Sequence, residues 1–271
     1  MKFTKIALFG GALVAGAMFS SCQTEETVNA NNIPGDILDA LAANGFSTNE
    51  VINFDAGYLV EGDIYLTRGD IMSLQPANVI NEQYRTTNLV STNGSRNITI
   101  SPDSQYDAAM IAGLDEAIAR YNAENLEITF TKISSDNASA DINMNRLRKG
   151  EERQGILGSA GFPTSAGDPY GEIKMSGILQ STYGLSTNGI ATIIAHEMGH
   201  CIGFRHTDFF DRSISCGGST SNEGDGGVGA IHIPGTPTGA SASAKSFMLS
   251  CTDGGDRPFN NDDKTALNYL Y

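Results

Sequence analysis

Residues 196 to 206 read HEMGHCIGFRH, an H-E-x-x-H-x-x-G-x-x-H array in which each spacing has a mechanical reason. On an α-helix, residues four apart differ by about 40° around the axis, so His196 and His200 leave one face together and can hold one ion. Glu197 lies beside them, where a carboxylate can act as general base on water made acidic by zinc, while the metal polarises the scissile carbonyl. Three protein ligands leave a fourth position open, the pattern of a catalytic zinc and not a structural one. The third ligand cannot come from the same straight helix, so the chain must turn after His200. Gly203 supplies that turn, because glycine takes the left-handed conformation that ends many helices. His206 then arrives from another direction and completes a tripod. These five fixed positions should occur by chance on the order of once in 10⁵ sequences of this length, which makes ordinary surface or core histidines the weaker explanation.

The array is the zinc signature of the metzincin clan. The resemblance implies a zinc metalloendopeptidase that cleaves extended polypeptides, with a methionine-containing turn below the metal. Ser246-Phe247-Met248 resembles that turn, and Met248 would form an apolar floor under the histidines. Residues 259 to 271 resemble the terminal helix of matrixins and their relatives, with Asn and Asp at its start and a stripe of Ala266, Leu267 and Leu270. Within the clan, AHEMGHCIGFRHTD, the IPGTP segment at 233 to 237 and YLVEGDI at 58 to 64 resemble the bacterial dual-action HEIGH metallopeptidases, with Met198 where the family name has Ile. Ser250 stands where astacins and serralysins place a tyrosine that aids the transition state, so no oxyanion donor is assigned.

Val60-Glu61-Gly62-Asp63 resembles the F-x-G-D segment of astacin propeptides, whose aspartate fills the open zinc position. Two readings stand: Asp63 as a latency switch, or a Gly-Asp turn at the start of a strand with no contact to metal. A switch would make residues from about 23 to 85 a pro-segment, released by cleavage near Arg85.

The elements that must position these residues form an α+β fold: a metzincin-like protease domain with a mixed twisted sheet, two long helices and an irregular C-terminal part carrying the Met turn and terminal helix. Hydrophobic patterning predicts a short helix at 36–44, a strand at 58–67, strands at 98–101, 126–133 and 140–143, a helix at 106–122 and the active-site helix at about 188–202. Residues 171–176 are expected as the edge strand, where substrate would add antiparallel. The domain scheme is a leader at 1–21, a tether and short helix at 22–44, a pro-segment at 45–85 and the protease domain at 86–271.

The first residues carry Lys2, Lys5 and an apolar run from Ile6 to Phe19, too short to span a bilayer, which reads as an export signal. Ser20-Ser21-Cys22 resembles a lipobox, so Cys22 is expected as a lipidated N-terminus anchoring the protein to the outer membrane or cell surface, with simple secretion as the alternative. Lys and Arg number 17 against 31 Asp and Glu, a net charge of −14, which leaves no electrostatic footprint for nucleic acid. A monomer is expected. Residues 222–227 and 253–263 offer oxygens that could hold calcium, though neither has EF-hand spacing, and solvated loops are the simpler reading. Arg146, Arg148, Lys149 and Arg153, interrupted by Glu151 and Glu152, read as an exposed loop.

A Cys216–Cys251 disulfide would tie the loop after the third ligand to the Met turn, leaving Cys201 buried and free, although spacing does not fix connectivity. Thr207 and Asp208 could orient His206 by hydrogen bonding, or Asp208 could cap the following turn. His232 reads as a structural histidine. The rival functional reading is a catalytically silent surface lipoprotein that binds zinc without hydrolysis; Glu197 argues against it, since a structural zinc has no use for a base.

Overall fold

A computed structural model of the chain describes residues 33–49, 51–74, 83–220, 222–223, 229–237 and 240–271. These belong to the second of two units, Met1–Ala30 and Asn31–Tyr271. The leader, Cys22 and the tether up to residue 32 lie outside the described residues, as do 224–227 of the first calcium candidate.

The N-terminal elements are α1 (Gly35–Ala43), β1 (Ile52–Phe54), β2 (Gly57–Val60), β3 (Ile64–Thr67) and α2 (Arg68–Ser73). Then come β4 (Tyr84–Arg85), β5 (Arg96–Pro102), α3 (Ala108–Asn122), β6 (Ile128–Lys132), β7 (Ile142–Arg146), α4 (Lys149–Glu152), β8 (Gly158–Ala160) and β9 (Glu172–Met175). The chain ends with α5 (Thr187–Ile202), α6 (Ser213–Cys216), β10 (Ile231–His232) and α7 (Asn261–Leu270). One eight-stranded sheet has the order β1-β2-β3-β8-β9-β7-β5-β6. Strands β5, β6, β7 and β9 run parallel, β8 turns antiparallel to β9, and β3 lies parallel to β8.

The two long helices, α3 and α5, pack together over this sheet. Asp107 caps α3, its carboxylate accepting from Met110 N at 3.0 Å, and Met110, Gly113, Leu114, Ala117 and Tyr121 give it a buried stripe at helical spacing. The helices meet at Gly113, where a Cβ would stand 2.5 Å from the Ile190 side chain. Their apolar faces join Ile98, Ile100, Phe130, Ile142 and Ile173 of the sheet in the main core. At about 1.5–3 kcal/mol for each fully buried large apolar side chain, this layer holds α5 in place.

Several expectations are corrected here. The segment expected as an edge strand contains β9, which lies inside the sheet between β7 and β8. The last strand that residues C-terminal to 86 contribute on that side is β8, which reads Gly-Ser-Ala and shows no alternation of large apolar residues. Packing around the expected domain boundaries is as follows. Ile37 and Leu41 of α1 share a core with Val60, Ile64 and Ile71, so the short helix belongs with the segment after it and not with the tether. Residues 83–86 belong with the C-terminal half: Tyr84 and Arg85 pair with Ile231 and His232, and Thr86 N donates to Gly203 O at 2.8 Å. Cleavage at Arg85 would therefore cut a half-buried, hydrogen-bonded strand. The basic cluster is not a loop either; α4 buries Glu151 and Glu152, and Glu152 accepts from Arg146 Nε at 3.2 Å and Gly177 N at 2.8 Å.

Candidate metal centre

Helix α5 begins at Ser186, whose hydroxyl accepts from Gly189 N at 3.2 Å, and ends at Gly203 with φ +107°. That φ suits glycine, and a Cβ there would also press on Leu89 and Thr86 at 2.8 and 3.0 Å. The chain then reverses. Arg205 N donates to Tyr84 O and Thr207 N to Met248 O, both at 2.8 Å, which brings His206 back toward the helix.

All three imidazoles use Nδ1 outward. Nδ1 of His196 donates to Phe247 O and that of His200 to Phe204 O, each at 2.9 Å; a carbonyl can only accept, so Nε2 of both rings presents its lone pair to the centre. Nδ1 of His206 meets the Glu223 carboxylate at 2.8 and 3.0 Å. Nε2 of His196 lies 3.1 Å from that of His200 and 3.3 Å from that of His206. Ligands at 2.0–2.1 Å from a tetrahedral zinc stand about 3.3–3.4 Å apart, so these atoms fit zinc with little adjustment.

A fourth atom completes the figure. Asp63 Oδ2 lies 3.2 Å from His206 Nε2 and 3.5 Å from His196 Nε2. It projects from the tip of the β2–β3 hairpin, where Glu61 and Gly62 have φ of +57° and +99°. Asp63 is thus a turn residue next to a strand whose carboxylate lies among the histidines. Its other oxygen, Oδ1, is out of contact with solvent and accepts no hydrogen bond among the described residues. Burial would raise its pKa, but His206 and His196 reverse this and hold it well below the usual carboxylate range.

Glu197 is buried against β8: a Cβ on Gly158 would stand 2.4 Å from its Oε1. Burial, then the Asp63 charge, push its pKa well above the carboxylate range against a pull from His206. Met248 is fully buried, and its sulfur lies where a Cβ on Gly199 would meet it at 2.6 Å, under the helix turn that carries His196 and His200. The turn is held by Asp263 of α7, which accepts from Ser246 Oγ at 2.6 Å, Phe247 N at 3.2 Å, Asn260 N at 3.0 Å and Gln83 Nε2 at 3.0 Å. A disulfide joins Cys216 to Cys251 with Cα atoms 5.1 Å apart, and Cys201 is a buried free thiol.

Of the two readings for Asp208, the one in which it caps the turn after His206 fits, its Oδ2 accepting from Ser215 N at 3.2 Å. Thr207 Oγ1 pairs with Ser246 Oγ at 2.8 Å. Asp208 Oδ1 accepts from Ser250 N and Oγ at 2.8 Å, while Oδ2 accepts from Ser215 Oγ at 2.6 Å. Neither touches the His206 ring, which Glu223 orients instead. Sequence reading treated Glu223 as part of a solvated or calcium-holding loop; the available signal was that a ligating histidine usually donates its second nitrogen to a carboxylate. His232 pairs with Thr236, its Nε2 lying 3.2 Å from Oγ1.

The sequence model of the dual-action HEIGH metallo-peptidase family matches residues 58–271, which covers the zinc array, Met248 and the Asp63 hairpin. No curated protein matches the chain. Among solved structures, the chain is similar to high choriolytic enzyme 1, a hatching enzyme zinc-protease from the medaka fish Oryzias latipes, at 17% identity and TM-score 0.37, over 67% of this chain and 92% of that one. Two structures of myroilysin are similar at 14% and 12% identity, both with TM-score 0.38, over 66% and 71% of this chain and 95% and 99% of theirs. With the family match spanning most of its length, the chain belongs to the dual-action HEIGH metallo-peptidases.

Proposed function

We propose that the protein is an exported zinc metalloendopeptidase, made as a latent precursor, that cleaves extended polypeptides. The observation that carries this is the set of Nε2 separations, 3.1 and 3.3 Å, between histidines whose Nδ1 atoms are already engaged. His196, His200 and His206 would hold the ion, and Met248 would support them from below. Zinc when bound supplies a Lewis acid that acidifies water and polarises a peptide carbonyl. Glu197 would take the proton of the attacking water and return it to the leaving amine, a role suited to a buried carboxyl whose pKa is raised. Digestion of casein by zinc-loaded, proteolytically activated protein tests this; activity that a chelator abolishes and added zinc restores is expected, and its absence rejects the reading.

Latency rests on two contacts. Asp63 takes the position at which water would enter, and β3 pairs along β8, with Ala160 N donating to Asp63 O at 3.0 Å. The inhibitory strand is parallel to β8, whereas a substrate strand is expected antiparallel, so its peptide bonds present the wrong polarity for hydrolysis. Residues 83–86 pack with the C-terminal half, so an activating cut would fall before Gln83. Anchorage through Cys22 completes the proposal, supported by the leader and lipobox alone. Cys22→Ala should leave the membrane fraction, and a variant that still fractionates with membranes rejects the anchor.

A further inference from the structure

We propose that Lys174 and Ser159, on the face of β8 and β9 turned away from the long helices, form a subsite for a carboxylate side chain of a polypeptide lying along β8, and that Asp55 fills it in the uncleaved chain. This rests on the protease reading and adds a substrate class to it: polypeptides with an acidic residue near the scissile bond.

Ala160, Ile173 and Met175 enter the main core under α5, so their neighbours Ser159 and Lys174 face the other way. Lys174 stands directly opposite Ser159 in the antiparallel pair, and the two side chains share that outer face. The β1–β2 hairpin folds over it. Phe54 and Leu59 pack with Leu147 and Ile156 in a cluster separate from the main core, and the Lys174 ammonium lies 5.0 Å from the centre of the Phe54 ring. From the hairpin tip the Asp55 carboxylate reaches both Arg148 and Lys174. Arg148 also pairs with Glu151 at 3.1 Å and keeps that partner without the hairpin. Lys174 does not: Asp55 is its one carboxylate partner among the described residues, and Glu172, on the same face of β9, accepts from Asn145 Nδ2 at 2.7 Å. Ser159 supplies an independent sign of a ligand. It is 2% exposed, and its Oγ has no hydrogen-bond partner among the described residues. A buried hydroxyl without a partner is costly, and an incoming carboxylate oxygen would satisfy it.

Loss of the residues before the activating cut takes away Phe54, Asp55 and Leu59 together, which opens this face and leaves Lys174 without its carboxylate. A polypeptide pairing with β8 sets alternate side chains on the same face. Its backbone would then stand two strand spacings from β9, about 10 Å, with Ser159 on the strand between. A glutamate and a lysine side chain span that distance between them. Leu147 and Ile156 give the site an apolar floor, where an ion pair is screened less than in open water. Ile156 also lines, with His196 and Glu197, a cavity of about 250 Å³, so the face is continuous with the metal position.

The test uses the full chain, zinc-loaded and cut by limited proteolysis, with release of the N-terminal segment verified by mass. Fluorogenic peptides carry Glu or the isosteric Gln at each of the three positions on either side of the scissile bond. Glu should be favoured in kcat/KM by about fivefold or more at one position, or at two positions two apart, and never at adjacent positions, because only alternate side chains meet the outer face. Lys174→Met should bring that ratio to within about twofold of unity, Lys174→Arg, which keeps the charge, should retain a preference, and Ser159→Ala should lower it by about twofold. Thermal unfolding of each variant checks that the fold is intact. Cleavage of Glu and Gln peptides at equal rates by the unsubstituted chain, or a preference unchanged in Lys174→Met, rejects the subsite and leaves the protease reading standing. A cut segment that cannot be separated from the rest of the chain assigns this face to that segment alone and also rejects the subsite. No cleavage of any peptide by the freed chain rejects both.

Discussion

The Glu223 carboxylate grips Nδ1 of His206 with both oxygens, at 2.8 and 3.0 Å, although the two residues are separated by a loop and both are fully buried. Ser250 Oγ, whose hydrogen is shared with Asp208, lies 3.0 Å from the same carboxylate, and Arg212 Nε lies 3.1 Å away. The third ligand is therefore oriented from outside the HEMGHCIGFRH array. Glu223→Ala frees the ring to rotate and removes the acceptor that fixes its tautomer. Zinc affinity should fall by about 10- to 100-fold, read by competition with a chromogenic chelator. Unchanged affinity would show that Glu223 only neutralises the arginines.

Asp63→Ala in the uncleaved chain should raise hydrolysis of a short peptide by about tenfold or more, because the fourth position opens while the rest of the precursor is intact. Casein should gain far less, since β3 still lies along β8. Equal peptidase activity in variant and unsubstituted precursors, both verified as intact by mass, would reject a role for Asp63 in latency.

Asp263 makes stability depend on pH. Burial pushes its pKa up from 3.8 to about 6, partly offset by hydrogen bonds from Ser246, Asn260, Gln83 and Phe247. The folded state then binds the proton more tightly than the unfolded one, so this contribution is fully present below pH 3.8 and is lost as pH rises to about 6. A shift of that size corresponds to about 3 kcal/mol. Urea unfolding at several pH values should show this slope in the unsubstituted protein and a flatter one in Asp263→Asn. Parallel pH profiles for the two proteins would contradict it.

What the sequence made legible follows from range. His196, Glu197, His200, Gly203 and His206 lie within one helix and its cap, where spacing alone dictates geometry, and Met248 followed from the resemblance. Glu223 sits in a stretch rich in Gly, Asp and Asn with no periodicity, so its partner could only be found in three dimensions. Strand β8 escaped notice because Gly158, Ser159 and Ala160 are small, and Gly158 must be small to admit Glu197. Treating 171–176 as the edge was the natural error once β8 was missed. The pairing of Tyr84 and Arg85 was hidden for a related reason: their partners Ile231 and His232 are more than a hundred residues away in sequence, and two-residue strands carry no pattern.

The central claim is that this is a working zinc protease site in which Glu197 is base and not ligand. It is tested most directly by measuring zinc content and casein hydrolysis together on the activated protein and on Glu197→Gln. The account predicts about one zinc per chain in both, and hydrolysis reduced by about 10²-fold or more in the variant. Loss of zinc along with activity would contradict the role given to Glu197. Zinc-loaded, activated protein without chelator-sensitive cleavage would contradict the protease assignment itself.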